Sequence, residues 1–127
     1  MKNPVCYFEI PVTDLERAMT FYTAVFGYEL KPVTIDGNDM ALFPATDDTG
    51  GITGALAKGE SYLPGKQGSR IYFSVTSIGD TLQKVEQVGG RVLYPKTSVG
   101  SLGSVAEFED CEGNCIALHS AESAERR

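Results

Sequence analysis

The feature that most constrains this chain is an internal repeat. When the 127-residue sequence is shifted over itself by half its length, core and capping positions of the first half meet similar residues of the second half without a gap. The matched pairs are Ile10/Phe73, Val12/Val75, Leu15/Ile78, Met19/Leu82, Tyr22/Val85, Val25/Val88, Gly27/Gly90 and Leu30/Leu93. One half is too small to bury a sheet face alone, so the two halves are expected to complete each other's sheet or core.

Each half carries the signals of a strand, a helix and three further strands. Alternating apolar residues predict a strand at Val5–Val12, and helical spacing then predicts a helix that begins at Leu15 and stops at Gly27. The run Thr13-Asp14-Leu15-Glu16 matches a capping box with Thr13 as the cap, and Ser77 can cap the second helix. The other predicted strands are Tyr28–Ile35, Met40–Ala45, Ile52–Ala57, Arg70–Val75, Val92–Thr97, Ser104–Asp110 and Asn114–His119. The pattern predicts an α+β fold made of two β-α-β-β-β modules.

The length of the chain and one linker define its organisation. A chain of 127 residues fits one domain of ordinary size. A segment rich in glycine and proline near mid-chain is typical of a linker. We therefore predict one domain over residues 1–127, with module one at 4–58, the linker at 59–69, module two at 70–120 and a frayed polar tail at 121–127.

Charge and cysteine content exclude several classes of protein. The net charge of −6 repels phosphate backbones and anionic lipid surfaces, and no apolar run is long enough to span a membrane. We therefore expect neither a nucleic-acid partner nor a membrane partner. The three cysteines, Cys6, Cys111 and Cys115, are too few for a disulfide framework, which favours a reduced, cytoplasmic protein.

Three segments carry a resemblance to a known family. They are FEIPVTDLERAMTFYTAVFGYEL, YFSV followed by GDTLQKVEQVGGRVLYPKT, and FEDCEGNCIALH. In combination they resemble the vicinal oxygen chelate superfamily, which includes glyoxalase I, extradiol dioxygenases and bleomycin-resistance proteins, and the similarity spans residues 4–120. The resemblance implies tandem β-α-β-β-β modules that form an eight-stranded cup around a small-molecule cavity, in a homodimer.

The same resemblance implies where a metal would bind. Metal-dependent relatives take four ligands from the first and last strands of each module, and these positions fall at Tyr7, Ala55, Arg70 and Ala117. Alanine has no donor atom, arginine carries a fixed positive charge, and neutral tyrosine coordinates only weakly. We therefore expect no cofactor, and a divalent metal is disfavoured but left open as an alternative.

The alternation of the strands places a polar set inside the cup, on the sheet faces that helices do not cover. Tyr7, Tyr72 and Ser74 are predicted to bind the ligand by stacking or through hydroxyl groups, whereas the two tyrosines could equally fill space. Arg70 is predicted to anchor a carboxylate or phosphate, or else to form an internal salt bridge with Glu9.

Two residues are candidates for acid–base chemistry. Glu9 is a carboxylate on the cup side, and His119 is the only histidine of the chain, although a lone histidine at a strand end is often structural. The sequence favours a protein that binds a small polar or anionic molecule without a metal. A metal-independent enzyme that acts on such a molecule is one form of this hypothesis. The alternatives are a metal-dependent lyase or dioxygenase whose ligands are displaced to Glu9 and His119, and a protein that only sequesters an antibiotic.

Overall fold

The secondary structure follows the predicted order in both halves. The computed structural model describes residues 3–46 and 50–121, and within them it contains eight strands, two α-helices and one short 3₁₀ helix. The elements are β1 (Phe8–Val12), α1 (Leu15–Phe26), β2 (Lys31–Ile35), β3 (Asn38–Leu42), β4 (Gly54–Lys58), β5 (Tyr72–Ser74), α2 (Ile78–Gln87), β6 (Arg91–Ser98), the 3₁₀ turn Gly100–Leu102, β7 (Ser104–Glu109) and β8 (Cys115–Ser120). All but the first residue of the tail predicted at 121–127 lies outside the described residues.

The strands form two sheets of the same topology. One has the order β1-β4-β3-β2 and the other β5-β8-β7-β6, so β1 and β5 are edge strands. In each sheet the first strand runs parallel to the fourth strand of its module, and the other pairs are antiparallel. The α+β fold of two β-α-β-β-β modules is thereby confirmed.

One of the two predicted helix caps is correct. Ser77 caps α2, where its side chain accepts a hydrogen bond from the backbone N–H of Asp80. The cap of α1 is Asp14 and not Thr13, because the Asp14 carboxylate accepts from the backbone N–H of Arg17. Thr13 instead donates its backbone N–H and its hydroxyl to Glu112 of module two, at 2.8 Å each.

The helix-covered faces of both sheets share one core. Tyr22 on α1 is fully buried, with its ring 5.7 Å from that of Phe43 in module one and 6.3 Å from that of Phe73 in module two. Phe26 stacks on Phe73 at 4.6 Å. α1 therefore contacts residues of both sheets, and each sheet has one face that the helices leave uncovered. We call these uncovered faces the outer face of module one and the outer face of module two.

A hydrogen-bond cluster joins the two modules at one end of this core. Glu112 accepts from the backbone N–H of Asp14 at 2.9 Å and from the guanidinium of Arg17 at 2.9 Å, in addition to its two bonds from Thr13. The buried hydroxyl of Tyr22 donates to Asp110 at 2.6 Å.

Among the described residues, no helix has the length and apolar character needed to cross a membrane.

Candidate functional site

The outer face of module one is built around Glu9. This half-buried residue of β1 lies opposite Ala55 of β4, beside a small apolar cluster of Met40, Ala55 and Ala57. Its carboxylate accepts a hydrogen bond from the hydroxyl of Tyr62 at 2.7 Å and another from the hydroxyl of Tyr7 at 3.1 Å.

Tyr62 is a residue that sequence reasoning missed, although a lone aromatic in a linker rich in glycine was a usable signal. It packs on the apolar cluster of module one and so brings the linker over the outer face. The hydrogen bond to Glu9 raises the pKa of Tyr62, while burial, followed by the hydrogen bond to Glu9, raises the pKa of Tyr7. Both hydroxyls therefore stay protonated at neutral pH and act as donors.

The outer face of module two carries an ion pair. The guanidinium of Arg70 lies 2.5 Å from the carboxylate of Glu107 on β7. The alternative prediction for Arg70 was an internal salt bridge with Glu9. Arg70 does form an internal salt bridge, but the prediction of its partner is wrong, since the partner is Glu107 of the sheet that contains β5. The thiol of Cys115 also contacts Glu107, with sulfur and oxygen 3.8 Å apart. The charge of Arg70 is thus largely compensated within the protein.

Three predicted residues lie together on β5 and β8. Tyr72 is 53% exposed, and Ser74 is exposed and lies opposite His119 in the sheet register. His119 Nε2 lies 2.5 Å from the carbonyl oxygen of Leu102. A carbonyl oxygen only accepts, so Nε2 carries the proton, and in the neutral ring Nδ1 is left as an acceptor.

The two candidate acid–base residues do not meet within one chain. Glu9 lies on the outer face of module one, and His119 lies on the outer face of module two. The two side chains therefore lie on different sheets of the described structure.

Two clefts border these residues. One has a volume of about 570 Å³ and is lined by Arg70, Tyr72 and Ser74 together with the aromatic side chains of Phe8, Tyr28, Phe43 and Phe73. The other, of about 210 Å³, lies between β1, the linker and the start of β8, and Glu9 is part of its wall.

The residues present do not fit a four-ligand metal centre. At the four positions implied by the resemblance, Ala55 and Ala117 offer no donor, the hydroxyl of Tyr7 is bonded to Glu9, and Arg70 is paired with Glu107. Over residues 3–46 and 50–121, no three His, Cys, Asp or Glu side chains are grouped closely enough to hold a metal ion. The side chains at these four positions therefore do not form the donor set of a divalent-metal site.

Comparisons with known proteins agree with this fold. The model of the family described as bleomycin resistance protein-like N-terminal matches residues 5–44. A glyoxylase-like domain-containing protein from Didymella fabae is 34% identical over 114 residues, which cover 87% of this chain and 88% of the relative.

Solved structures with the same fold are more distant in sequence. The fosfomycin resistance protein FosX from Listeria monocytogenes superposes with a TM-score of 0.69 at 19% identity, with 100% of both chains covered. A glyoxylase/bleomycin resistance protein/dioxygenase domain from Frankia sp. EAN1pec has a TM-score of 0.72 at 17% identity, covering 95% of this chain and 99% of that one. Together with the Didymella relative, these matches show that the chain belongs to the vicinal oxygen chelate superfamily.

Proposed function

We propose that this protein binds a small organic molecule on its outer faces without a divalent metal. The observation that carries the proposal is the chemistry of the four family ligand positions. Two are alanines, one is a tyrosine bonded to Glu9, and one is an arginine paired with Glu107. Ligand recognition then depends on the carboxylate of Glu9 on one face and on Tyr72, Ser74 and His119 on the other.

The binding cup is proposed to need two copies of the chain. We infer that the outer faces of one chain point apart, so that a closed cavity forms when the outer face of module one meets the outer face of module two from another copy. The edge strands β1 and β5 have one side free of strand partners, and exposed apolar side chains lie beside them, namely Val5, Ile52 and Tyr72. Free strand edges flanked by apolar side chains favour association. In such a homodimer Glu9 approaches His119 of the partner subunit.

A reducing compartment suits the cysteines. All three are free thiols, and burial raises the pKa of Cys111 to about 11, which keeps it protonated and unreactive at neutral pH. This supports the proposal of a cytoplasmic protein.

A second candidate function is proton transfer to or from the bound molecule. It is favoured by the contact of His119 with Leu102, because a ring that donates from Nε2 offers Nδ1 as a base. A binding protein and an enzyme are separated by recovering the ligand after long incubation, since only an enzyme returns a product.

The metal-free proposal is tested by thermal shift with a library of small polar molecules. The protein is compared after chelator treatment and after addition of manganese, zinc or nickel. We expect ligands that stabilise the fold to raise the Tm equally in both samples, because binding to the native state stabilises it by mass action. Stabilisation that appears only with a metal, or one tightly held divalent ion per chain in elemental analysis of the purified protein, would contradict the proposal.

A further inference from the structure

The half-buried glutamates of this protein differ in whether they have a cationic partner. Three of them pair with cations: Glu107 with Arg70, Glu109 with Lys66 and Arg91, and Glu112 with Arg17. Glu9 is half-buried in the same way, but among residues 3–46 and 50–121 no lysine, arginine or histidine forms an ion pair with it. Its polar partners are the two tyrosine hydroxyls.

Two phenol donors do not saturate the carboxylate of Glu9. An ionised carboxylate has room for about four hydrogen bonds, and Tyr7 and Tyr62 use one on each oxygen. A partly desolvated charge without a counter-charge is costly, so a cation placed against Glu9 would be favoured. The tyrosines hold both oxygens in fixed positions for such a partner.

The surroundings of Glu9 admit a small cation and offer none of their own. Glu9 borders the cleft of about 210 Å³ under the linker, whose wall also contains Leu63, Gln67 and Ser69. A cleft of this volume has room for a small amine or for the cationic end of a larger molecule. The nearby cations Lys66 and Arg70 are already paired with glutamates of module two.

We propose that Glu9, with Tyr7 and Tyr62, binds a protonated amine or guanidinium group of the ligand. The inference rests on the proposed function, because it names the chemical class of the molecule that the cup takes. An ammonium group carries three donors and a guanidinium five, which match the free lone pairs of Glu9, and tyrosine rings beside a carboxylate suit an organic cation. The net charge of −6 further attracts cations to the protein. The proposal thus names a cationic ligand, whereas the sequence analysis expected a polar or anionic ligand on the basis of Arg70.

Tyr62 acts in this site as a positioning residue. Its hydroxyl orients Glu9 from the linker, and its ring packs on the outer face of module one. Removal of the Tyr62 hydroxyl leaves the negative charge of Glu9 in place. Loss of this hydroxyl therefore weakens amine binding less than loss of the Glu9 charge does.

The test is calorimetric titration of the chelator-treated protein with butylamine and agmatine. Butanol and butyrate are the neutral and anionic probes of similar size. We expect saturable binding of the two cations that weakens with added salt, and about tenfold or greater loss of affinity in Glu9→Gln. Tyr62→Phe is expected to fall between wild type and Glu9→Gln. The matched control is Glu60→Gln, which changes the net charge equally at an exposed position and is expected to bind amines as the wild type does.

Three results would overturn the inference. The first is failure of both amines to bind at millimolar concentration. The second is binding of butanol or butyrate with the same affinity as the amines. The third is an equal loss of amine affinity in Glu9→Gln and Glu60→Gln. Any of these results with the metal-free protein would remove this inference and leave the proposed function standing. Binding that appears only after a metal is added would instead remove the proposed function.

Discussion

Glu112 shows how a single side chain joins the two modules. In a capping box, a glutamate within the first turn of a helix reaches back to the backbone N–H of the cap residue. In α1 that N–H belongs to Asp14, and it is Glu112, from the turn between β7 and β8, that accepts from it. A residue of module two therefore completes the N-terminus of the helix of module one, and the same carboxylate also binds Thr13 and Arg17.

The protonation of Glu112 follows from these contacts. Burial alone would raise the pKa of this carboxyl group, but hydrogen bonds from the backbone and side chain of Thr13, from Arg17 and from the backbone of Asp14 outweigh it and hold the pKa below the ordinary value. A carboxyl group with a lowered pKa in the folded state stabilises the fold above its unfolded-state pKa. That stability is lost as the pH falls from about 4.5 through the lower folded-state pKa.

We predict that Glu112→Ala lowers the free energy of unfolding by about 3 kcal/mol, because it leaves several donors at the start of α1 without an acceptor. Arg17→Ala removes only the half-exposed ion pair and should cost less than about 1 kcal/mol. Urea unfolding at neutral pH measures both values, and equal costs for the two variants would contradict the capping role. Wild type should also lose more stability than Glu112→Ala on acidification below about pH 4.5.

At the scale of the elements, glycines that look alike in the repeat have different roles. Gly27 ends α1 in the left-handed conformation, with φ of 76°. Its repeat partner Gly90 does not have a positive φ; the left-handed residue after α2 is Gly89, with φ of 91°. A Cβ on Gly90 would lie 2.6 Å from a side-chain carbon of Val85 and 2.8 Å from the carbonyl oxygen of Glu109. Gly90 is therefore required by close packing against β7.

Gly54 and Gly79 provide a matched test of local packing. A Cβ on Gly54 in β4 would lie 2.0 Å from the carbonyl oxygen of Phe8 in β1, whereas a Cβ on Gly79 in α2 would meet nothing within 4 Å. We predict that Gly54→Ala destabilises the fold by at least about 2 kcal/mol by forcing β1 and β4 apart. Gly79→Ala should stabilise it by up to about 0.5 kcal/mol through helix propensity. Thermal unfolding compares the two, and a neutral Gly54→Ala would contradict the close approach.

For the whole molecule, the shared core decides how the site is assembled. Both sheets turn their apolar faces toward one shared core, and this leaves Glu9 and His119 on the uncovered faces of different sheets. The proposed cup takes its two walls from two copies of the chain, and the exposed apolar residues beside the edge strands are where contact between the copies is expected.

We predict that sedimentation equilibrium gives a mass of about twice 13.7 kDa at neutral pH. Ile52 is 46% exposed beside β4, so Ile52→Asp should shift the equilibrium toward monomer by placing a charge in the contact. Val88, 39% exposed after α2 and away from β1 and β5, offers the control substitution Val88→Asp, which should leave the mass unchanged. A monomer at all concentrations, or equal effects of the two variants, would refute the two-chain cup.

Much of the fold and part of the site could be predicted from the sequence. Alternation and helical spacing are local properties, so they located the strands, the helices, the repeat and the face that carries Glu9. The Ser77 cap was predicted for the same reason, because its partner Asp80 is only three residues away.

The tertiary structure alone decided which distant residues meet. The partner of Arg70 is Glu107, the cap of α1 is completed by Glu112, and Tyr62 of the linker reaches Glu9. Each of these contacts joins residues that are far apart in the chain, and local periodicity carries no information on such distances. The sequence by itself thus determined two similar β-α-β-β-β modules. Only the tertiary structure showed that the two modules share one core, because their large apolar surfaces are buried together.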